Sequence, residues 1–327
     1  MSDVDKEDMK GAIEDFVAQL KEAVRLAQHI TVIGEIDRII VCGMGGSAIA
    51  GDILKCYLAD TKANITVNRD YSLPPSANSK TLVIASSYSG NTEETISAFR
   101  NALRIGSKIV AITSGGKLET LCRASNIPFV KIPAKMQPRN AMPYSFFAIL
   151  TILTNSKLIP NRFSEVQELV NGINMDALTE KGEELALKLK DKIPLIYSSE
   201  RYRAIGIRWK QDFNENSKVH AFANVFPELD HNELVGFANL KGNYYVVIIE
   251  DEDDYKRVKD RIRITKELIK SKKVGITEMV MKGNNLLLKM FTAVLIGDWA
   301  SYYLALEYGI DPTPVDVIRE LKQRLGE

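Results

Sequence analysis

The chain is poor in cysteine, histidine and net charge, and it lacks a long apolar run. Its 327 residues include three cysteines and three histidines, and 43 Lys and Arg against 42 Asp and Glu give a formal net charge of +1. Balanced charge gives no electrostatic reason to expect nucleic acid or a membrane surface as the main partner. No apolar stretch approaches the roughly 20 residues that span a bilayer, and the acidic start lacks the layout of a signal peptide.

The few cysteines are scattered. Cys42, Cys56 and Cys122 form no C-x-x-C pair, and each lies in an apolar strand or a helical pattern. We therefore expect buried structural thiols. No group of histidine, cysteine and aspartate has the spacing of a metal site. The sequence predicts a soluble cytoplasmic protein with no structural disulfide, no metal and no other cofactor.

What the chain does have is a regular alternation of strand and helix patterns. Apolar runs at 38–43, 64–69, 81–87, 108–113 and 128–133 alternate with helical patterns, and the alternation resumes at 194–199. Such near-continuous apolar strands predict parallel sheets covered on both faces. We expect an N-terminal helical segment at 1–33, a first α/β domain at 34–158, a helical connector at 159–192, a second α/β domain at 193–310, and a C-terminal helix at 311–327. Val315, Ile318 and Leu321 would dock this last helix against the rest of the protein.

Two strand ends in the first half are rich in glycine and hydroxyl groups. "GMGGSAIAG" (43–51) follows one apolar strand, and "SSYSGNTEET" (86–95) ends the next but one. Ligands of an open parallel sheet bind outside the carboxyl ends of its strands. Glycines let the backbone approach a ligand, free N–H groups at a helix start favour an anion, and hydroxyls donate further hydrogen bonds. Together the two loops predict a site for a phosphate monoester.

Two other interpretations of these loops stay open. Ser89 or Asn91 could cap the following helix, with Glu94 completing a capping box. "GMGGSA" also matches the dinucleotide fingerprint, and Asp70 lies about 20 residues further on. A cap needs only one hydroxyl, and the fingerprint does not require a hydroxyl-rich neighbour. We therefore favour phosphate binding.

The second half supplies groups that can move protons. Glu215 lies between two asparagines at the end of a helical pattern, and His231 lies in a polar loop between an aspartate and an asparagine. A positioned carboxylate or imidazole is the usual acid or base of proton-transfer chemistry. The other histidines, His29 and His220, are expected to be a surface residue and a structural residue.

Two cations carry less information when taken alone. Arg139 lies in a loop ahead of an apolar helix, and Lys322 lies near the end of the chain. An ordinary ion pair and a solvated lysine explain them as well as a ligand contact does.

All these stretches together resemble a known family. "GMGGSAIAGD" and "SSYSGNTEET" resemble the phosphate-binding loops of the sugar isomerase (SIS) domain. "PRNAMPYSF", "NENSK", the "HNE" of 231–233 and the lysine-bearing C-terminal helix resemble the archaeal-type bifunctional phosphoglucose/phosphomannose isomerases. The motifs run from Gly43 to Lys322 in the family's order. The resemblance implies two tandem doubly wound, flavodoxin-like SIS domains and an aldose–ketose isomerase of glucose 6-phosphate and mannose 6-phosphate.

The resemblance also implies a role for each candidate residue. Glu215 would move a proton between C1 and C2, and Arg139 would stabilise the enediolate. His231 and Lys322 would open the sugar ring, with Lys210 as the alternative lysine, and the histidine would come from the partner subunit of a homodimer. The phosphate would be bound by Gly45, Gly46, Ser47, Ser87, Ser89 and Thr92.

Two other functions remain open at this point. A non-enzymatic SIS module that senses sugar phosphates would keep the hydroxyl loop but would not need Glu215, His231 or Lys322. An amino-sugar phosphate isomerase would keep most of the same groups, and an assay with glucosamine 6-phosphate would separate it.

Overall fold

The structure is a computed structural model that describes residues 4–326. By its internal contacts the described chain forms two compact units. The first unit comprises residues 14–170, and the second comprises residues 171–326 together with residues up to Ile13.

Helices and strands alternate along both units. The helices are α1 (Met9–Glu14), α2 (Phe16–Ala27), α3 (Gly45–Tyr57), α4 (Glu93–Arg104), α5 (Gly116–Ala124), α6 (Met142–Asn155), α7 (Phe163–Gly172), α8 (Met175–Leu189), α9 (Arg203–Glu215), α10 (Lys256–Ser271), α11 (Leu286–Glu307) and α12 (Asp316–Leu325). The strands are β1 (Arg38–Cys42), β2 (Ile65–Asn68), β3 (Thr81–Ser86), β4 (Lys108–Thr113), β5 (Phe129–Lys131), β6 (Ile193–Ser199), β7 (Phe222–Phe226), β8 (Tyr244–Asp251) and β9 (Gly275–Met281).

The sheet of the first unit is parallel throughout, in the order β2-β1-β3-β4-β5. Every residue of β3 is buried, as expected for a central strand covered on both faces. On one face α4 and α5 pack through Phe99 and Leu118, while α6 packs against α2 and α3. This is the doubly wound arrangement with the flavodoxin-like strand order.

That strand order decides where a ligand can bind. Strand β2 lies on one side of β1 and strand β3 lies on the other, so β1 and β3 are neighbours. The chain leaves β1 toward one side of the sheet and leaves β3 toward the other, so the loops that follow these two strands diverge. The register pairs Cys42 with Ala85, which brings the ends of the two strands level. A Cβ on Gly43 would lie only 2.9 Å from the carbonyl oxygen of Ser86. The two polar loops therefore start side by side, at the crevice where open α/β sheets bind ligands.

The second unit repeats this topology with one strand fewer. Its parallel sheet has the order β7-β6-β8-β9, and a buried apolar cluster on one face includes Tyr197, Val246 and Ile262. Helix α11 packs against α8 and α9. The prediction of two tandem parallel-sheet α/β domains is confirmed.

At the equivalent crevice of the second sheet, the protein's own carboxylate takes the place that an anion could occupy. The buried Asp251, at the end of β8, accepts hydrogen bonds of 2.7 Å from Tyr202 Oη and from Lys289 Nζ. Burial works to raise the pKa of Asp251, but the bonds from Lys289, the Asp253 amide and Tyr202 outweigh it and hold the pKa below its ordinary value. This crevice is closed by an internal ion pair instead of a glycine loop.

The C-terminal helix differs from expectation. Along α12, which the structure describes in full, no residue is buried, and Ile318 and Leu321 are 44% and 57% exposed. The prediction that Ile318 and Leu321 dock this helix is wrong for the single chain, while Val315, just before the helix, is half-buried. Of the cysteines, Cys42 and Cys122 are buried and Cys56 is partly buried. Among residues 4–326, no helix is both long and apolar enough to cross a membrane.

Candidate active site

The loop after β1 leads into α3 through a backbone suited to an anion. The residue before the helix, Met44, makes no side-chain capping bond within the described chain. Gly45 has a φ of +48°, a left-handed conformation that glycine adopts without strain, and Ser47 is buried in the first turn. The first amides of a helix have no intrahelical acceptor. The start of α3 can therefore offer main-chain N–H groups and one hydroxyl to a phosphate.

The loop after β3 is held in shape by its own hydroxyl groups. Ser87 Oγ and Thr92 Oγ1 share a hydrogen bond of 2.8 Å, and Ser87 Oγ also accepts from the Gly90 amide at 3.1 Å. Ser89 Oγ accepts from the Asn91 amide at 3.2 Å, while its side chain is exposed. Each hydroxyl has a proton or a lone pair left over for a ligand.

The simple capping interpretation is not supported. Helix α4 begins at Glu93, so Thr92 is its N-cap, and this residue makes no side-chain capping bond in the part of the chain described. Ser89 bonds within its own turn, and Asn91 Oδ1 accepts from the Lys117 amide at 3.0 Å. The helix start is therefore left for another acceptor, which a bound phosphate would provide.

A third loop, which the sequence analysis missed, supports the hydroxyl loop. A Cβ on Gly90 would lie 1.8 Å from the Gly115 carbonyl oxygen, and one on Gly116 would lie 2.3 Å from that of Ser89. Both glycines have positive φ values, +69° and +67°. The signal was present in "SGGK" (114–117), two glycines directly after strand β4. Only glycine allows two backbones to approach this closely.

Arg139 lies against the first loop. It belongs to a short 3-10 helix, Pro138–Ala141, directly ahead of α6, and it is buried. A Cβ on Gly46 would lie 2.8 Å from the Pro138 carbonyl oxygen and 3.0 Å from Arg139 Cα. The first unit thus brings the backbone of Arg139 against the glycine loop.

In the second unit, the residues on either side of Glu215 bond to other parts of the protein. Asn214 donates to a main-chain carbonyl at 2.8 Å, and Asn216 donates to Ser301 Oγ on α11 at 2.9 Å. Lys218 donates to the last carbonyls of α9, including that of Glu215 itself. Glu215 is half-buried and ends the helix. The motif therefore fixes the backbone on both sides of the candidate base.

A buried ionic cluster lies one turn earlier on the same helix, and sequence reasoning missed it too. Arg208 Nε lies 2.8 Å from Asp212 and Arg208 Nη2 lies 3.0 Å from Asp298. Burial raises the pKa of Asp212 well above its ordinary value; Arg208 opposes this shift, and the charges of Asp298 and Glu215 add to it. The i,i+4 spacing of Arg208 and Asp212 was the available signal.

His231, like Glu215, has neighbours in the sequence that bond to other parts of the protein. Its neighbour Asp230 accepts from Arg261 at 3.1 Å, and Glu233 accepts from Tyr197 at 2.7 Å. His231 itself is exposed at the end of a short 3-10 helix, Glu228–His231. The anchored neighbours hold the loop while the imidazole faces solvent. The two remaining histidines, at 29 and 220, are also exposed.

The two candidate lysines lie in different surroundings. Lys322 is exposed on α12. Lys210, on α9, lines a cavity of about 480 Å³ together with Tyr197 and Glu233. Within residues 4–326, neither ammonium group forms a hydrogen bond with His231.

Comparison with known proteins assigns the family. A family model described as "SIS domain" matches residues 33–154, and one described as "Bacterial phospho-glucose isomerase C-terminal SIS domain" matches residues 178–325. The fold and its polar loops thus define a protein with two SIS domains. The chain is 41% identical to a bifunctional phosphoglucose/phosphomannose isomerase of Caldicellulosiruptor bescii, over 94% of this chain and 96% of the relative. The chain therefore belongs to the family of bifunctional phosphoglucose/phosphomannose isomerases, and the resemblance is confirmed.

Two further matches show how far this architecture extends. A relative from Sulfolobus acidocaldarius, named D-glucosamine-6-phosphate 4-epimerase, is 32% identical over 91% of this chain and 92% of the relative. The solved C-terminal domain of glucosamine-fructose-6-phosphate aminotransferase from Francisella tularensis matches with a TM-score of 0.73 at 18% identity, over 94% of this chain and 98% of that one. At this identity the structural likeness concerns the fold alone.

Proposed function

We propose that the protein interconverts glucose 6-phosphate and mannose 6-phosphate with fructose 6-phosphate. The observation that carries the proposal is the match over nearly the whole length of the chain to isomerases of that name. The anion-binding crevice between β1 and β3 supports it, because both substrates carry a phosphate monoester.

The substrate's phosphate is held, in this proposal, by the two loops of the first unit. The glycine loop would donate main-chain N–H groups at the start of α3, and the hydroxyl loop would donate from its side chains. The proposed ligands are Gly45, Gly46, Ser47, Ser87, Ser89 and Thr92. The phosphate does not react, so its role is to fix the sugar for chemistry at C1 and C2.

The reaction begins with ring opening. A proton leaves the C1 hydroxyl and one is delivered to the ring oxygen as the C1–O5 bond breaks, which leaves an aldehyde at C1 and a hydroxyl at C5. We assign this exchange to His231 and Lys322. An imidazole is suited to it because it can accept and donate a proton near neutral pH.

Isomerisation then moves one proton between neighbouring carbons. The Glu215 carboxylate removes the proton from C2, the electron pair forms the C1–C2 double bond, and the enediolate oxygen carries the negative charge. Arg139 stabilises that charge. Glu215 returns the proton to C1, the hydroxyl proton of O2 passes to the negatively charged O1, and a carbonyl forms at C2. Glucose 6-phosphate and mannose 6-phosphate differ only at C2, so both give the same enediol.

Replacing Glu215 by glutamine tests the proposal. Glu215→Gln keeps the shape but removes the base, so we expect kcat to fall by about 10³-fold with the fold intact. Coupled assays with glucose 6-phosphate and mannose 6-phosphate, offered separately, measure the loss. Glu267→Gln, an exposed surface change on α10, is the matched control and should leave kcat unchanged. Full turnover by Glu215→Gln would refute the assignment.

A second candidate function follows from the epimerase relative. An enzyme of this architecture can act on glucosamine 6-phosphate, so that substrate belongs in the same assay series. Turnover of glucosamine 6-phosphate, without turnover of glucose 6-phosphate or mannose 6-phosphate, would favour the amino-sugar alternative. Binding of sugar phosphates without turnover of any of them would favour a sensing module.

We also propose that the protein acts as a homodimer in which the partner subunit's His231 completes each site. The exposure of His231 on an anchored loop supports this, because the loop is built to hold a side chain that the same unit leaves in solvent. The proposed compartment is the cytoplasm, where the phosphorylated sugars of central metabolism are found.

A further inference from the structure

The segment that carries Arg139 has little regular structure of its own. Strand β5 ends at Lys131, and the chain reaches α6 only at Met142. Between them, Lys135 adopts a left-handed φ of +73°, and the 3-10 helix with Arg139 begins at Pro138. We call residues 132–141 the Arg139 segment. Its first residue, Ile132, still donates to the Thr113 carbonyl of β4 at 3.0 Å, and the position of the rest depends on contacts with other parts of the unit.

One of those contacts comes from the glycine loop. Gly46 lies so near the Arg139 segment that a Cβ would come within 3.0 Å of Arg139 Cα. Real Cβ atoms do not tolerate such distances from a backbone atom, so the close approach requires glycine. The backbone next to Arg139 thus rests on the loop that is proposed to bind the phosphate.

A second contact comes from the hydroxyl loop. Tyr88 Oη accepts a hydrogen bond of 2.9 Å from the Met136 amide, three residues before Arg139. The carbonyl oxygen of Tyr88 accepts from the Ser114 amide at 3.0 Å and from Ser114 Oγ at 2.7 Å. The tyrosine is therefore fixed at its main chain by the third loop and at its phenol by the Arg139 segment.

The hydrogen bond between Tyr88 and Met136 starts from the loop that is proposed to bind the phosphate. Tyr88 lies between Ser87 and Ser89, two proposed phosphate ligands. Its ring is half-buried, and burial raises the pKa of Tyr88, so the phenol stays protonated at neutral pH. Tyr88 therefore joins the hydroxyl loop to the amide of Met136 through one side-chain hydrogen bond.

We propose that Tyr88 is a positioning residue that couples phosphate binding to the placement of Arg139. This inference rests on the proposed isomerase function. Phosphate orders the hydroxyl loop, Tyr88 holds the Met136 amide, and the Arg139 guanidinium is placed for the enediolate. Catalytic groups lose much of their effect when displaced by an ångström, so a single bond can matter for rate.

Tyr88→Phe removes the bond and keeps the ring. We expect kcat to fall by about tenfold, while the affinity for glucitol 6-phosphate, which has the phosphate but no carbonyl, changes less than about threefold. Tyr57→Phe is the matched control: Tyr57 is a buried tyrosine of the same unit whose phenol bonds Glu165. It should lose comparable thermal stability and keep kcat.

A double-mutant cycle separates positioning from general weakening. In the background of Arg139→Ala, Tyr88→Phe should have almost no further effect on kcat, because the group it positions is absent. A full tenfold loss in that background, or an unchanged kcat in Tyr88→Phe alone, would overturn the proposal.

Hydrogen exchange gives a readout that does not depend on turnover. Glucitol 6-phosphate should slow amide exchange at 134–137 in the wild-type protein and should fail to do so in Tyr88→Phe. Equal protection in both proteins would contradict the coupling. A wild-type protein that shows this protection but isomerises neither sugar would refute the proposed function and leave the coupling standing.

Discussion

Glu215 and His231 share a local design. Each has polar neighbours that are used up in anchoring the main chain, through Ser301 for the first and through Arg261 for the second. The central side chain of each motif is the one to which we assign contact with the substrate. Enzymes place reacting groups by this kind of support, since a base that swings freely loses its orientation.

The residue types of the site could be predicted from the sequence, but their supports could not. The order "NEN" and "DHNE" marks the candidates locally, because each motif lies at the end of an element. Ser301 lies 85 residues after Asn216, and no pattern within either stretch signals that bond. The Arg208 cluster had a local signal in the i,i+4 spacing of Arg208 and Asp212, but its third member, Asp298, lies 90 residues from Arg208 and has no local signal.

At the same scale, the choice between two lysines can be tested. Ring opening needs an ammonium group near the sugar, and we assign it to Lys322, so Lys322→Ala should lower kcat/KM for glucose 6-phosphate by about 10²-fold. Lys210→Ala is the matched change and should cost less than about threefold. A large loss with Lys210→Ala and none with Lys322→Ala would move the assignment to the lysine that lines the cavity with Glu233.

Among the elements, α9 and α11 form the frame of the candidate base. Trp209 Nε1 donates to the Ala293 carbonyl at 2.8 Å, and Arg208 and Asn216 bond Asp298 and Ser301 further along α11. The helix that ends at Glu215 is thus fixed to its neighbour from its middle to its last residue. Movement of the base would require this packing to break.

Two glycines of this helix pair give opposite predictions. A Cβ on Gly297 would lie 2.2 Å from Trp209 Nε1, so Gly297→Ala should lower the free energy of unfolding by about 2 kcal/mol. A Cβ on Gly206 of α9 would meet its nearest atom at 3.5 Å, so Gly206→Ala should raise it by about 0.5 kcal/mol. Urea unfolding of both variants measures the two shifts. A neutral Gly297→Ala would mean that α9 and α11 can separate without cost.

The elements themselves followed from the sequence better than their surroundings did. Alternating apolar strands and helices predicted parallel sheets, because burial on both faces leaves a continuous apolar run. The apolar pattern does not predict the order of the strands in the sheet, yet this order brings the loops after β1 and β3 together. The exposed face of α12 was mispredicted because apolar spacing shows that a helix can pack but does not name its partner.

On the scale of the whole molecule, two sheets of the same topology carry different chemistry. The first keeps glycine and hydroxyl loops at its crevice, and the second closes the equivalent crevice with Asp251, Tyr202 and Lys289. The negative charge of the buried Asp251 carboxylate, which Lys289 and Tyr202 already bond, disfavours an external anion there. The proposed proton-transfer residues of the second unit lie elsewhere, at the end of α9 and in the loop after β7.

A dimer with shared sites makes a quantitative prediction about mixed subunits. Glu215→Gln and His231→Asn should each be inactive alone. Co-assembled in equal amounts, half of the dimers are mixed, and each mixed dimer has one site with an intact Glu215 and the partner subunit's intact His231. We expect about a quarter of wild-type activity. If each subunit used its own histidine, the mixture would stay as inactive as its parents.

A second mixture provides the control. Glu215 and Arg139 are proposed to act from the same chain, so every site in a dimer of Glu215→Gln with Arg139→Ala lacks one of them. That mixture should show no recovery, although its subunits exchange equally well. Recovery in both mixtures would indicate reversion or contamination by active enzyme, and recovery in neither would refute the shared site. Recovery in the first mixture alone would place the partner subunit's His231 in the reaction, because only contribution across the interface separates the two cases.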